Sequence, residues 1–225
     1  MTGSHHPDLQ KGVSMKAVIL NGSPRKNQNT AMMLRSVQKG AESAGAETEY
    51  IDLYDLQYTG CRSCMLCKRK GAERCRCYWK DDLSPVIDRI FAADALFIGS
   101  PIYLGDITSQ VHALIERLHF CSLSYDDYSS YFTGKVNVGL VFTMNAPRAY
   151  FDSRYRAECE MLAGTFRFMN GAVEICASCD TLQVSDYSRF SMASFDEAHK
   201  KEMREKQFPL DLEAAFRLGS ELCLK

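Results

Sequence analysis

Residues 16–30 read KAVILNGSPRKNQNT, and the order of their characters decides the fold. Lys16 to Asn21 is a short apolar run, closed by Gly22-Ser23-Pro24. Such a run, lacking polar alternation, suits a strand buried on both faces. Thr30 to Ala44 follows with Ala31, Leu34, Val37 and Ala41 at helical spacing, and Gly45 stands where a C-terminal cap is expected. Working outward, the same alternation recurs. Strands are expected at Glu47–Leu53, Ala95–Gly99, Val136–Phe142 and Ala172–Cys176. Helices are expected at Leu83–Ala93, Thr108–Phe120 and Arg154–Phe168, with a last helical stretch starting near Asp196, broken around Pro209 and running to the end. Strand-helix alternation implies βαβ units and a parallel sheet covered on both faces. Right-handed crossovers leave few topologies, and five strands suit the doubly wound order 2-1-3-4-5. Its ligand crevice opens at the carboxyl ends of strands 1 and 3.

The 225 residues suffice for one domain with a sizeable core, burying about 70% of the unfolded chain's surface. Apolar residues at 46% and charged residues at 24% exclude a disordered or fibrous chain. Twenty-seven Lys and Arg against 28 Asp and Glu leave a net charge of −1, so no global field recruits nucleic acid or a membrane. No apolar run approaches the roughly 18 residues of a membrane span. Residues 1–14 lack the apolar core of a secretion signal. They read as a disordered leader or a cloning remnant, with Met15 as an alternative start, and a cytoplasmic location is expected. One domain over 15–225, with a cysteine-rich insertion at 60–80, is the simplest partition.

Two loops border the expected crevice. The first, NGSPRKNQNT at 21–30, enters a helix at its N-terminus, where free amides and the dipole favour an anion. Ser23, Asn27, Asn29 and Thr30 add uncharged donors; Arg25 and Lys26 add positive charge. Neither GxxxxGK[ST] nor GxGxxG is present, so a single terminal phosphate fits better than a dinucleotide pyrophosphate. The second loop, SPIYLGD at 100–106, carries the large apolar residues Ile102, Tyr103 and Leu104 between Pro101 and the permissive Gly105. Apolar side chains on a loop call for something flat to pack on, and a flavin ring meets that need.

Five of the ten cysteines lie between 61 and 77. Cys61, Cys64 and Cys67 form C-x2-C-x2-C, a spacing that wraps three thiolates round one centre, and Cys75 or Cys77 supplies a fourth. Arg62, Lys68, Arg69, Lys70, Arg74, Arg76 and Lys80 stand in this stretch against Glu73 alone, and such a basic shell offsets an anionic centre. An iron–sulfur cluster, a structural zinc site and unmetallated thiols are the three readings. The scattered Cys121, Cys159, Cys176, Cys179 and Cys223 read as core filler.

NGSPRKNQNT, CRSCMLC, KDDL and GSPIYLGDITSQVHALIERL, in that order, resemble the flavodoxin-like NAD(P)H-dependent FMN reductase superfamily and, within it, the iron–sulfur flavoproteins. The resemblance covers roughly residues 15–180. It implies a flavodoxin-like α/β sandwich and FMN. Phosphate contacts would fall on Ser23, Arg25, Asn27, Asn29 and Thr30, and ring contacts on Pro101, Ile102, Tyr103, Leu104 and Gly105. Thr143, Met144 and Asn145 would make a third flavin contact. It also implies a [4Fe–4S] cluster on Cys61, Cys64, Cys67 and a fourth cysteine. The family's gap length points to Cys75, while its KDD element aligns the last cysteine with Cys77. The implied activity is an FMN-dependent oxidoreductase taking electrons from NAD(P)H, as a homodimer or tetramer, with ferredoxin, a quinone or free flavin as acceptor. A cluster-free NAD(P)H-dependent FMN or quinone reductase, a flavodoxin-like electron carrier and a zinc-stapled binding protein without flavin are the alternatives.

Other candidates carry less. His112, His119 and His199 have no metal-ligand spacing, and Glu116 and Arg117 read as solvent or interface groups. Tyr125, Tyr128, Tyr131 and Phe132 read as a tyrosine-rich surface loop. No Ser-His-Asp set or paired carboxylates support hydrolysis, and no side chain is singled out as an acid or base.

Overall fold

Alternate residues of the strands point to opposite faces of the sheet, and both faces of this one are apolar. A computed structural model describes residues 14–225. The expected leader at 1–14 therefore lies outside the described residues apart from Ser14. β1 (Lys16–Asn21), β2 (Glu47–Asp52), β3 (Ala95–Pro101), β4 (Val136–Thr143) and β5 (Asn170–Ser178) form one parallel sheet in the order β2-β1-β3-β4-β5. Val18, Leu20, Leu96, Ile98, Val138 and Leu140 face α2 (Leu83–Phe91) and α3 (Ser109–Ser122). The helical run α4 (Arg148–Tyr150), a π-helical turn (Phe151–Tyr155) and α5 (Arg156–Thr165) completes that layer. On the other face, Ala17, Ile19, Ala95, Phe97 and Val141 pack against α1 (Asn29–Ser43) and, beyond α6 (Glu197–Lys206), the terminal α7 (Phe208–Leu222). This is the flavodoxin-like order expected.

The differences lie at element ends. β3 and β4 run on to Pro101 and Thr143, because their last residues still pair with each other beneath the crevice. Gly45 follows the last turn of α1 at φ +88°, a conformation that favours glycine. Pro209 opens α7 rather than interrupting it, since its missing N–H falls in the first turn. No helix among the described residues is long and apolar enough to cross a membrane.

Candidate flavin crevice and cysteine pocket

The loop leaving β1 is held by its own polar groups. Gly22 N–H donates to Gly99 O at 2.8 Å, and Thr108 Oγ1 donates to Gly22 O at 2.8 Å. Asn21 donates to Asp52 at 2.7 Å and accepts from Ser23 N–H at 3.1 Å. Ser23 Oγ in turn accepts from Arg25 N–H at 3.1 Å. The chain thus turns sharply from β1 into α1. Gln28 at the head of α1 offers its first-turn amides no side-chain acceptor. The positive end of the helix therefore opens beside Ser23, Arg25, Asn29 and Thr30, which suits an anion.

The loop leaving β3 is a tight turn. Tyr103 N–H donates to Asp106 O at 2.8 Å, and Asp106 N–H donates back to Tyr103 O at 3.1 Å. Leu104 and Gly105 sit in its corner at φ +53° and +91°. For a leucine this backbone costs on the order of 1–3 kcal/mol, and the side chain recovers nothing, being wholly exposed. Tyr103 beside it is half exposed. His112 Nε2 lies 3.0 Å from Asp106 and fixes the base of the turn. Tyr150 and Tyr155 meet edge to face at 5.3 Å, and Tyr155 completes the wall opposite Gly105.

The third wall follows β4. Met144 N–H donates to Ser178 O, and Thr181 N–H donates to Met144 O, both at 3.0 Å. Lys200, a buried lysine of α6, donates to Asn145 O at 2.6 Å and to Asp180. His199 Nε2 meets the other Asp180 oxygen at 2.7 Å. Burial pushes the Asp180 carboxyl up, but the bonds from Lys200 and His199 more than offset this and hold it below its ordinary range. The segment after β5 then crosses the crevice. Arg25 donates to Gln183 O at 2.6 Å, Asn29 donates to Leu182 O at 2.9 Å, and Arg204 donates to Asn29 Oδ1 at 3.0 Å.

These walls enclose a cavity of about 490 Å³, within the range of small-molecule and cofactor sites. Every residue expected at the phosphate, the ring or the third contact lines it except Asn27, together with Gln28, Ala146, Tyr155, Thr181 and Gln183. Asn27 lies with Lys26, Ala31 and Met32 in a separate depression, because the turn from Arg25 to Gln28 carries it to the outer side. Two buried acceptors on the lining, Asn145 Oδ1 and Gln183 Oε1, have no partner. Gln183 and Thr181 were missed by sequence reasoning. Their position just past the carboxyl end of a strand beside β4 was the available signal.

The cysteine segment folds over the C-terminal half of α3. Cys61, Cys64, Cys67 and Cys77 line one small enclosed pocket of about 20 Å³, with Cys121 beside them. Cys75, favoured by gap length, does not line it. Cys75 sits in a left-handed turn at φ +57°, and burial pushes its thiol up to about 11. Burial also raises Cys121, as it does Cys67. All five cysteines of the segment are free. Among the described residues, no group of three or more His, Cys, Asp or Glu is assembled to hold a metal ion. Of the five thiols on this pocket, the four from the segment nonetheless match a four-thiolate centre in number and chemistry. Of Glu116 and Arg117, both expected at solvent or an interface, Glu116 stays exposed and Arg117 turns inward. Glu116 accepts from Cys61 N–H at 3.1 Å, and Arg117 is buried.

The sequence pattern of the family described as NADPH-dependent FMN reductase matches residues 15–149. The chain belongs to that family. The match takes in both crevice loops and the cysteine segment of this FMN reductase family member. An iron–sulfur flavoprotein of Methanocaldococcus jannaschii is 33% identical over 103 residues, which are 46% of this chain and 51% of that protein. One from Archaeoglobus fulgidus is 36% identical over 103 residues, 46% of this chain and 48% of its own. The chain spans about half the length of the curated relatives it matches. In fold, it is similar to an NAD(P)H:quinone oxidoreductase from Methanothermobacter marburgensis, with a TM-score of 0.67 and 17% identity over 93% of this chain and 98% of that one. An azoreductase from Bacillus anthracis gives a TM-score of 0.62 at 14% identity, over 92% of this chain and 99% of the other.

Proposed function

We propose that this FMN reductase family member is an FMN-dependent oxidoreductase that passes electrons from NAD(P)H through bound FMN to a [4Fe–4S] cluster held by its cysteines. The single observation that carries the flavin reading is one cavity with three complementary parts. An uncapped helix N-terminus stands at one end, an apolar turn stands at the other, and two unpartnered buried acceptors lie on the lining. A phosphate, a flat ring and a hydroxylated chain with a donor-bearing ring edge would satisfy these parts.

When bound, the flavin supplies hydride acceptance and one-electron release, and the protein supplies binding and electrostatics. Ser23, Arg25 and the first-turn amides of α1 hold the phosphate. Asn145 Oδ1 and Gln183 Oε1 accept hydrogen bonds from the cofactor. Tyr103 and Leu104 cover the ring, and the backbone of Leu104 and Gly105 addresses its edge. Cys61, Cys64, Cys67 and one further cysteine would hold the cluster. Names of the relatives support this: an iron–sulfur flavoprotein for the cysteines, a quinone oxidoreductase for the acceptor. A homodimer or tetramer would bring a second copy to the open side of the crevice, and ferredoxin is a candidate external acceptor. A cluster-free FMN or quinone reductase is the second reading, favoured by the small volume of the cysteine pocket.

The phosphate end can be tested apart from the ring. A charged hydrogen bond contributes about 1.5–3 kcal/mol, roughly 10- to 100-fold in affinity. Arg25→Ala is expected to weaken FMN binding by that factor in fluorescence titrations and riboflavin binding by much less, the remainder coming from the lost bond to Gln183 O. Equal weakening of both ligands would contradict the placement of the phosphate.

A further inference from the structure

Arg117 lies on α3 with 2% of its surface exposed. The two hydrogens of Nη2 are shared among Cys77 Sγ at 3.2 Å, Asp81 Oδ1 at 3.0 Å and Ser84 Oγ at 2.8 Å. Nη1 donates to the other Asp81 oxygen and to Thr59 O at 3.3 Å. Nε, the remaining donor, has no partner. A buried guanidinium is costly unless its charge is balanced. Asp81 balances it through both oxygens, the bidentate arrangement that arginine favours. The fork that grips Asp81 also holds Nη2 against a sulfur. One residue earlier on the same helix, Glu116 accepts from Cys61 N–H. Two consecutive residues of a rigid helix thus grip the first cysteine of the run and the last.

We infer that Cys77, not Cys75, completes the four-thiolate centre, and that Arg117 is the positioning residue that holds its sulfur and favours the reduced state of the centre. This rests on the cluster reading above. The pocket is walled by these four cysteines and by Cys121 of α3, and Cys75 is not on it. The electrostatic sign follows from charge alone. Reduction adds one electron and no proton to a four-thiolate cluster, making it more anionic. A fixed cation bonded to one ligand sulfur, inside a site of low dielectric, stabilises the more anionic state. Hydrogen bonds to cluster sulfurs and local charge are recognised controls of such potentials. Asp81 opposes the effect, but the guanidinium's Nη2, not the carboxylate, is the group bonded to the sulfur.

The test uses the full chain, anaerobically reconstituted with iron and sulfide. Iron and acid-labile sulfide are assayed per chain, and the cluster potential is followed by EPR in a dithionite titration with mediators. Cys75→Ser is expected to keep the iron content of the wild type, and Cys77→Ser to lose at least one iron per cluster. Arg117→Met is expected to keep its iron and shift the potential downward. Arg117→Lys keeps the charge but cannot grip Asp81 and Cys77 together, so its potential falls by less; it also serves if the methionine variant does not fold. Loss of iron in Cys75→Ser with retention in Cys77→Ser would overturn the ligand assignment. Unchanged potentials in both Arg117 variants would overturn the positioning role. A wild type that takes up no iron would overturn the cluster reading itself, and this inference with it.

Discussion

Lys200→Met lowers the unfolding free energy by about 3–5 kcal/mol, the cost of removing one partner of a buried ion pair. Lys200 and Asp180 are 4% and 7% exposed, so neither charge can retreat into water. The lysine also holds Asn145 O at 2.6 Å, and Asn145 lines the crevice. Flavin affinity is therefore expected to fall together with stability. Urea unfolding monitored by circular dichroism, with and without FMN, measures both. The wild type carries a pH signature of the same pair. The Asp180 carboxyl is held low in the folded protein by Lys200 and His199, against the upward push of burial. Its stabilisation is complete above the unfolded pKa of about 3.9 and is lost as pH falls through the lower folded value. The variant loses that acid-side slope. A variant within about 1 kcal/mol of wild type, with the slope intact, would show that the lysine is not a structural partner of Asp180.

Gly22→Ala is expected to destabilise the chain by roughly 1–3 kcal/mol, the usual cost of overpacking, and to abolish measurable FMN binding. A Cβ at Gly22 would stand 2.2 Å from Val111 Cγ2, 2.8 Å from Gly99 O and 3.3 Å from Thr108 Oγ1. The valine is buried at the start of α3, and Gly99 O is main chain of the central strand, so neither can yield freely. The loop must lift instead, breaking the bonds of Gly22 to Gly99 and Thr108. Ser23 and the head of α1 move with it, which takes the anion site apart. Thermal unfolding and FMN titration of the variant read the two effects separately. Retained FMN affinity would mean that this loop does not form the phosphate end.

The strand order was legible because buried parallel strands are written as uninterrupted apolar runs, and KAVILN and ALFIG carry that signature openly. The two crevice loops were legible for a related reason: the topology dictates which strand ends meet. What escaped was long-range. Gln183 and Lys200 reach the crevice through a segment whose only local signals are turn residues and a charged helix. Their role appears only when β5 is seen to end beside β4. Asn27 was drawn into the site by its neighbours in sequence, although the turn from Arg25 to Gln28 aims it outward. Gap length favoured Cys75, yet Cys77 joins the other three, because the chain turns left-handed at Cys75 before Cys77 meets Arg117. Arg117 itself looked like a surface group, since nothing in its local sequence announces Asp81 across the core.

The central claim is that the crevice holds FMN and the cysteine segment a cluster, and the absorption spectrum of protein purified without air tests it most directly. Iron and acid-labile sulfide are assayed on the same sample. The account predicts flavin bands with a broad shoulder near about 400 nm and roughly four irons per chain. Flavin bands without iron would contradict the cluster and leave a cluster-free reductase. A colourless protein that takes up no FMN when the cofactor is added would contradict the account as a whole.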